Sequence, residues 1–165
     1  MFASLDPILF KMDIKIRRAL YKDLEELQTL FVETIQATCS RDYNKNQIDA
    51  WTSSVENFER WIRLITKQYT LVAYTDEMIV GLAALDDSNY VDFLYTHKDF
   101  QNRGIGNQLF NAIKLESLRQ GQYKLISDVS ITAKSFFESK GFEVIKQNKR
   151  EIQGIELVNF RMKEK

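Results

Sequence analysis

Gly104 and Gly106 stand where a β-type run gives way to a helical pattern, in the segment Gln101-Asn102-Arg103-Gly104-Ile105-Gly106. A turn so placed leaves several N–H groups without helical partners, all aimed at one point, and such a point attracts phosphate. The glycines keep side chains out of the approach of a diphosphate, and the helix dipole adds a favourable field. Arg103 could add an ionic contact. Taken alone, the glycine pair also fits a plain structural turn.

Two other phosphate readings fail on the residues present. A Walker loop needs Gly-Lys-Ser or Gly-Lys-Thr, which is missing, and a dinucleotide fingerprint needs a third glycine where Leu109 stands. Cys39 is the only cysteine and His97 the only histidine, which excludes an intramolecular disulfide, a cysteine cluster and a multi-histidine metal site. His97 precedes Lys98 and Asp99 and is expected to be a solvated loop residue. Cys39 is expected to be a small buried thiol and fits a reducing, cytoplasmic setting.

The elements that must position this turn follow from periodicity. Ile14–Arg17 alternates as a strand, and Leu24, Leu27, Phe31 and Ile35 recur at helical spacing. Asp23 with Glu26, and Ser53 with Glu56, have the spacing of capping boxes, so two helices are expected before the main sheet. Leu71–Tyr74 and Met78–Leu85 read as a hairpin, and Tyr90–Thr96 as a further strand leading into the glycine turn. A helix over 104–119, a strand over 123–127, a short helix over 131–140 closed by Gly141, and strands over 142–145 and 155–162 complete the order. The expected class is α/β (α+β mixed), a mixed sheet of about six or seven strands with helices on both faces and a parallel crossover around the glycine turn. Residues 1–12 read as a leader outside a single domain over 13–165, and Met12 could be an original start.

The chain has 165 residues, enough for one substantial core. Lysine plus arginine number 23 and aspartate plus glutamate number 23, so there is no net basic field and nucleic acid is not an expected partner. No apolar run is long enough to cross a bilayer, so no membrane is expected either.

Leu94-Tyr95-Thr96-His97-Lys98-Asp99-Phe100-Gln101-Asn102-Arg103-Gly104-Ile105-Gly106 resembles the central motif of the GCN5-related N-acetyltransferase superfamily, Gln/Arg-x-x-Gly-x-Gly/Ala after a strand. Ala133–Phe142, with its Gly141-Phe142 exit, resembles that superfamily's last helix. The resemblance covers nearly everything from Ile14 onward and implies an acetyl-CoA-dependent N-acetyltransferase with a splayed sheet. By that resemblance Leu94, Tyr95 and Thr96 offer backbone groups to the pantetheine arm, and Gln101, Asn102, Arg103, Gly104, Ile105, Gly106 and Asn107 wrap the diphosphate. Ser130 stands where a cofactor-contacting asparagine is common, and Phe137 stands where many members carry a tyrosine that protonates the leaving thiolate.

The implied reaction is direct attack by a primary amine of a small molecule or protein, in a ternary complex. Presenting a lysine-like amine neutral at pH 7 costs about 4.6 kcal/mol, so a base or water chain is expected. Asp92 is the leading candidate, sharing a face with Tyr90 and Leu94 by two-residue alternation; Tyr90 is the second. Trp51, Trp61, Phe58 and Tyr43 are expected mostly in the core. The alternative is a CoA-binding regulatory module without turnover. Monomer and homodimer both stay open, with Val158, Phe160 and Met162 on a final strand able to present an edge.

Overall fold

The computed structural model describes residues 13–165; the expected leader over 1–12 lies outside the described residues. Seven strands form one sheet: β1 (Lys15–Arg18), β2 (Tyr69–Tyr74), β3 (Ile79–Asp86), β4 (Tyr90–Thr96), β5 (Ile126–Ser130), β6 (Phe142–Ile152) and β7 (Ile155–Glu164). Their spatial order is β1-β2-β3-β4-β5-β7-β6, and every neighbouring pair is antiparallel except β4 with β5. Helices α1 (Leu24–Thr38), α2 (Lys45–Thr52), α3 (Phe58–Thr66), α4 (Ile105–Arg119) and α5 (Lys134–Ser139) complete the fold. The mixed sheet with helices on both faces, and the parallel crossover through α4, are as the patterning implies.

Two apolar layers sandwich the sheet. Leu27, Leu30, Phe31 and Ile35 of α1 pack with Trp61 and Leu64 of α3 against Val72, Leu82, Ala84 and Phe93 on one face. Ile105, Leu109, Phe110 and Ile113 of α4 pack with Phe137 against Leu71, Ala83, Val91 and Val129 on the other. Each fully buried Leu, Ile, Val or Phe among them contributes roughly 1.5–3 kcal/mol relative to exposure. Gly81 sets how close α4 comes: a Cβ there would stand 2.7 Å from Leu109 Cδ1 and 2.9 Å from Ile105 Cγ2.

The helical region before the sheet departs from expectation. Three helices occur, because Asn44 and Gln47 form a reciprocal cap that starts α2. Ser53–Glu56 is a 3-10 turn, and Asn57, whose side chain accepts from the Arg60 N–H, caps α3. Asp23 does not cap α1 with its side chain; it receives the Arg17 guanidinium at 2.7 and 3.0 Å, while Glu26 accepts from the Ile79 N–H at 2.6 Å and ties α1 to β3. Phe58 is exposed rather than in the core.

At the other end β5 begins at Ile126, leaving Tyr123 exposed. The β6–β7 hairpin is longer than its apolar pattern indicates. Gln153 and Gly154 both hold positive φ (50° and 78°), the two-residue turn whose twist suits a hairpin, and pairing runs from Ile152↔Ile155 to Phe142↔Glu164. β7 lies between β5 and β6, so its edges are paired and the open edge belongs to β6.

Candidate active site

The glycine turn is built by local hydrogen bonds. His97 Nδ1 accepts from the Asp99 N–H at 3.1 Å and its ring packs edge-on against Phe100, so His97 is buried and caps the turn over Lys98–Phe100; the expectation of a solvated residue is corrected. The Gln101 amide folds back to donate to the Thr96 carbonyl at 2.6 Å. Asn102 (φ 59°) and Gly104 (φ 78°) then adopt the left-handed conformation that aims the chain into α4. The first helical bond is from the Gln108 N–H to the Gly104 carbonyl, which leaves the N–H groups of Ile105, Gly106 and Asn107 without helical acceptors. Lys140 hydrogen-bonds Asn107 Oδ1, and its ammonium lies over Phe136 and Phe110. Arg103 stacks over Phe100 at 5.0 Å.

Beside this helix start the sheet opens. β4 and β5 are in register only at Tyr90↔Ile126 and Val91↔Ser127, and the Ser127 hydroxyl donates to the Val91 carbonyl at 2.8 Å at the narrow end. Beyond that point the strands diverge around a cavity of about 560 Å³ lined by Leu94, Thr96, Gly106, Ser130, Phe136 and Phe137, among others. A Cβ on Gly106 would sit 3.5 Å from Thr96 Oγ1 and 3.7 Å from Phe136, so any longer side chain there would project into this end.

A bulge sets what β4 presents. Ala84 faces Phe93 while Leu85 faces Val91, making Asp92 an extra residue on β4. Alternation therefore breaks: Leu94 packs with the α4 layer, whereas Asp92 meets Arg60 of α3 on the opposite face. The expectation that Asp92 and Leu94 share a face is corrected. The His97 N–H donates to Val80, and bonded pairs alternate along an antiparallel ladder, so Tyr95 and Phe93 bond toward β3 while the backbone groups of Leu94 and Thr96 turn toward the gap. The Thr96 carbonyl is accordingly met by Gln101 and by Thr34 Oγ1, at 3.2 Å, rather than by a strand. Tyr95 keeps its backbone on the β3 side, against the expectation that it offers groups to the gap.

Two capped carboxylates flank the cavity. Asp92 receives Arg60 Nη2 at 3.1 Å on one oxygen and Gln68 Nε2 at 2.7 Å on the other. Asp128 on β5 receives the Arg161 fork at 2.5 and 2.8 Å, the Tyr90 hydroxyl at 3.0 Å and Asn148 Nδ2 at 2.9 Å. Burial alone would raise the Asp128 carboxyl, but the Arg161 and Tyr90 contacts outweigh it and hold it below the usual carboxylate range. Burial and the adjacent Asp128 charge push the Tyr90 hydroxyl well up, and burial does the same to Tyr95. Tyr43, pushed up to about 12 by burial, donates to the Val158 carbonyl at 2.7 Å and accepts from the Ile131 N–H at 2.9 Å.

The remaining expected positions are also at the cavity. Ser130 Oγ accepts from the Ala133 N–H at 3.1 Å. Phe137 is almost fully buried, with its ring packed on Phe110, Phe136 and Phe142. Cys39 is buried and its thiol is pushed up by that burial. Arg60, Gln68, Asn148 and Arg161 escape a reading by motif, since each reaches the site from a distant element. The alternation of Asn148 and Arg150 on β6, had the strand been extended to Ile152, is the signal that could have found that wall.

Residues 39–164 match the acetyltransferase (GNAT) domain family. The uncharacterized N-acetyltransferase YafP of Escherichia coli (strain K12) is 32% identical over 153 residues, covering 93% of this chain and 97% of that protein. A solved structure from Rhodopseudomonas palustris, described as a GCN5-related N-acetyltransferase, aminotransferase class-II, has a TM-score of 0.88 at 28% identity, covering 93% of this chain and 96% of that one. The PaiA N-acetyltransferase of Thermoplasma acidophilum, solved in complex with coenzyme A, shares the fold with a TM-score of 0.74 at 20% identity, covering 93% and 99% of the two chains. With its splayed β4 and β5 and a glycine-opened helix at their mouth, the chain belongs to the GCN5-related N-acetyltransferase family and is an acetyltransferase.

Proposed function

We propose that this chain transfers acetyl from acetyl-CoA to a primary amine by direct attack within a ternary complex. The observation that carries the reading is the gap between β4 and β5, which ends at the α4 N–H groups that lack helical acceptors. Those N–H groups, with Gly104 and Gly106 leaving their approach open, suit a diphosphate, and Gln101, Asn102 and Arg103 hold the turn that presents them. Lys140, hydrogen-bonded to Asn107 at the start of α4, supplies a cation at the same end. Ser130 lies along the arm's course.

When bound, acetyl-CoA supplies a thioester: a C–N bond forms as the C–S bond breaks, and one proton passes from nitrogen to sulfur overall. The Leu94 N–H, turned into the gap by the register of β4, is the donor for charge developing on the acyl oxygen. Asp92 is the proposed proton acceptor. Each of its oxygens carries one hydrogen bond and keeps lone pairs open, whereas Asp128 is saturated by Arg161, Tyr90 and Asn148. Tyr90, the second candidate, acts by holding Asp128, since its raised hydroxyl is a poor acid and stays protonated. The Phe137 ring has no proton to give, so the thiol proton comes from water; at a thiol pKa near 8.5 the penalty at pH 7 is only about 2 kcal/mol.

Phe137 also favours a second reading, a CoA-binding module without turnover. A cytoplasmic setting and a single domain over residues 13–165 belong to the primary reading, which the lone Cys39 and the continuous sheet support. No helix among the described residues is long and apolar enough to cross a membrane.

Calorimetry with acetyl-CoA on wild type and Gly106→Glu, followed by a thiol-release assay across an amine panel, tests the reading. Gly106 is the cleaner site, because Gly104 at φ 78° would be strained by any side chain. Binding that the variant loses, with turnover of an amine, is the expected result. Binding without turnover of any amine favours the regulatory module, and no binding by folded wild type sinks both.

A further inference from the structure

The far wall of the cavity is cationic, and one of its cations makes no salt bridge with any described residue. Arg60, Lys149, Arg150 and Arg161 line the cavity with only Asp92 and Asp128 as carboxylates. Arg60 is committed to Asp92, Arg161 to Asp128, and Lys149 to Glu156 at 3.3 Å. Among the described residues Arg150 makes no salt bridge.

The hairpin register fixes where Arg150 stands. Pairing is unbroken from Lys146↔Arg161 to Ile152↔Ile155, so Asn148, Arg150 and Ile152 share a face. That face is the α1 and α3 side of the sheet, where Asp92 meets Arg60, because Ile152 packs with that layer and Asn148 donates to Asp128. Arg150 therefore lies about 7 Å along the strand from Asn148, on the wall of the cavity remote from the start of α4. It is not placed to serve a phosphate at the α4 N-terminus.

We infer that the acceptor is a small amine bearing a carboxylate, with Arg150 as the group that recognises the carboxylate. This rests on the acetyl-transfer reading above. A guanidinium fork matches the two oxygens of a carboxylate. A phosphate dianion would be half-neutralised by this single unpaired cation. A polycationic amine finds no carboxylate for its further charges, since Asp128 is saturated and Asp92, already holding Arg60, serves the reacting amine. The apolar Ile152 and Leu157 and the ring of Trp51 leave room beside Arg150 for an uncharged side chain.

The test compares L-amino acids, the corresponding amino-acid amides, O-phosphoethanolamine and spermidine as acceptors, using thiol release by wild type and Arg150→Gln. Acetyl-CoA binding is followed in parallel by calorimetry. Wild type is expected to prefer the carboxylate form over its amide by about tenfold or more in kcat/KM, as a charge-assisted hydrogen bond provides. In Arg150→Gln that preference should fall to within about twofold, with acetyl-CoA affinity unchanged. Amides used equally well, a preference that survives the substitution, or better use of spermidine or O-phosphoethanolamine would overturn the inference. So would an enzyme that binds acetyl-CoA yet acetylates no carboxylate-bearing amine in the panel. Loss of acetyl-CoA binding by folded wild type would overturn the underlying reading as well.

Discussion

Arg161 grips Asp128 with both Nε and Nη2, at 2.5 and 2.8 Å, across the β5–β7 pair in which the two residues face each other directly. Strand pairing and ion pairing thus reinforce one register. The carboxyl is held below its ordinary range, so the pair contributes stability that is present above the unfolded value, near pH 4, and is lost as pH falls through the folded value. Asp128→Asn should cost about 1–2 kcal/mol at neutral pH, discounted for partial exposure of both side chains. Urea denaturation at pH 7 and pH 3 checks this: the gap between wild type and variant must shrink at the lower pH.

Gly81 governs the seat of α4. Because a Cβ would come within 2.7 Å of Leu109 and 2.9 Å of Ile105, Gly81→Ala forces the first turns of α4 off the sheet. A loss of about 1–3 kcal/mol in denaturant stability is expected. Acetyl-CoA affinity should fall too, since the same helix presents the diphosphate N–H groups.

Most of this architecture is legible from side-chain period, because helices and strands that bury one face must repeat at 3.6 or 2 residues. Where the period is interrupted, the reading fails. The bulge at Asp92 shifts a whole face, so alternation misplaces Leu94. The polar run from Lys146 to Glu151 hides the outer half of β6, which is paired through its backbone and needs no apolar side chains. The glycine turn was readable because its chemistry is local; the caps on Asp92 and Asp128 come from Arg60 and Arg161, 32 and 33 residues away, and leave no local signature.

Lys140 is expected to contribute ground-state binding alone. It reaches Asn107 at the start of α4 and lies over the rings of Phe110 and Phe136. Lys140→Gln should raise the KM for acetyl-CoA by about three- to tenfold at low salt, with kcat little changed, and the effect should diminish as salt screens the phosphates. A fall in kcat with KM constant would place Lys140 in the chemistry instead.

Phe137→Tyr asks whether thiolate protonation limits turnover. The ring borders the cavity but is otherwise buried, so an added hydroxyl that misses the cavity costs about 1–3 kcal/mol of stability. A hydroxyl that reaches the sulfur can recover at most the roughly 2 kcal/mol penalty, so kcat at pH 7 should rise by no more than about 30-fold. The gain should fade as pH approaches the thiol pKa. A rise in kcat that persists above pH 9 would show that the hydroxyl acts on something other than the departing sulfur.

Asp92→Asn separates proton acceptance from positioning. Gln68 Oε1 is buried without a partner, so rotating that amide lets it accept from the new side-chain N–H₂, and Arg60 keeps an oxygen to bind. The fold should therefore persist with little loss of stability. As the proton acceptor, Asp92 should account for about 100-fold or more in kcat, with the KM for acetyl-CoA unchanged. Because an amine bound neutral from solution needs less help as pH rises, the deficit should narrow at high pH. A kcat within about threefold of wild type across the pH range would leave Asp92 the role of orienting Arg60, and the proton would then leave through water.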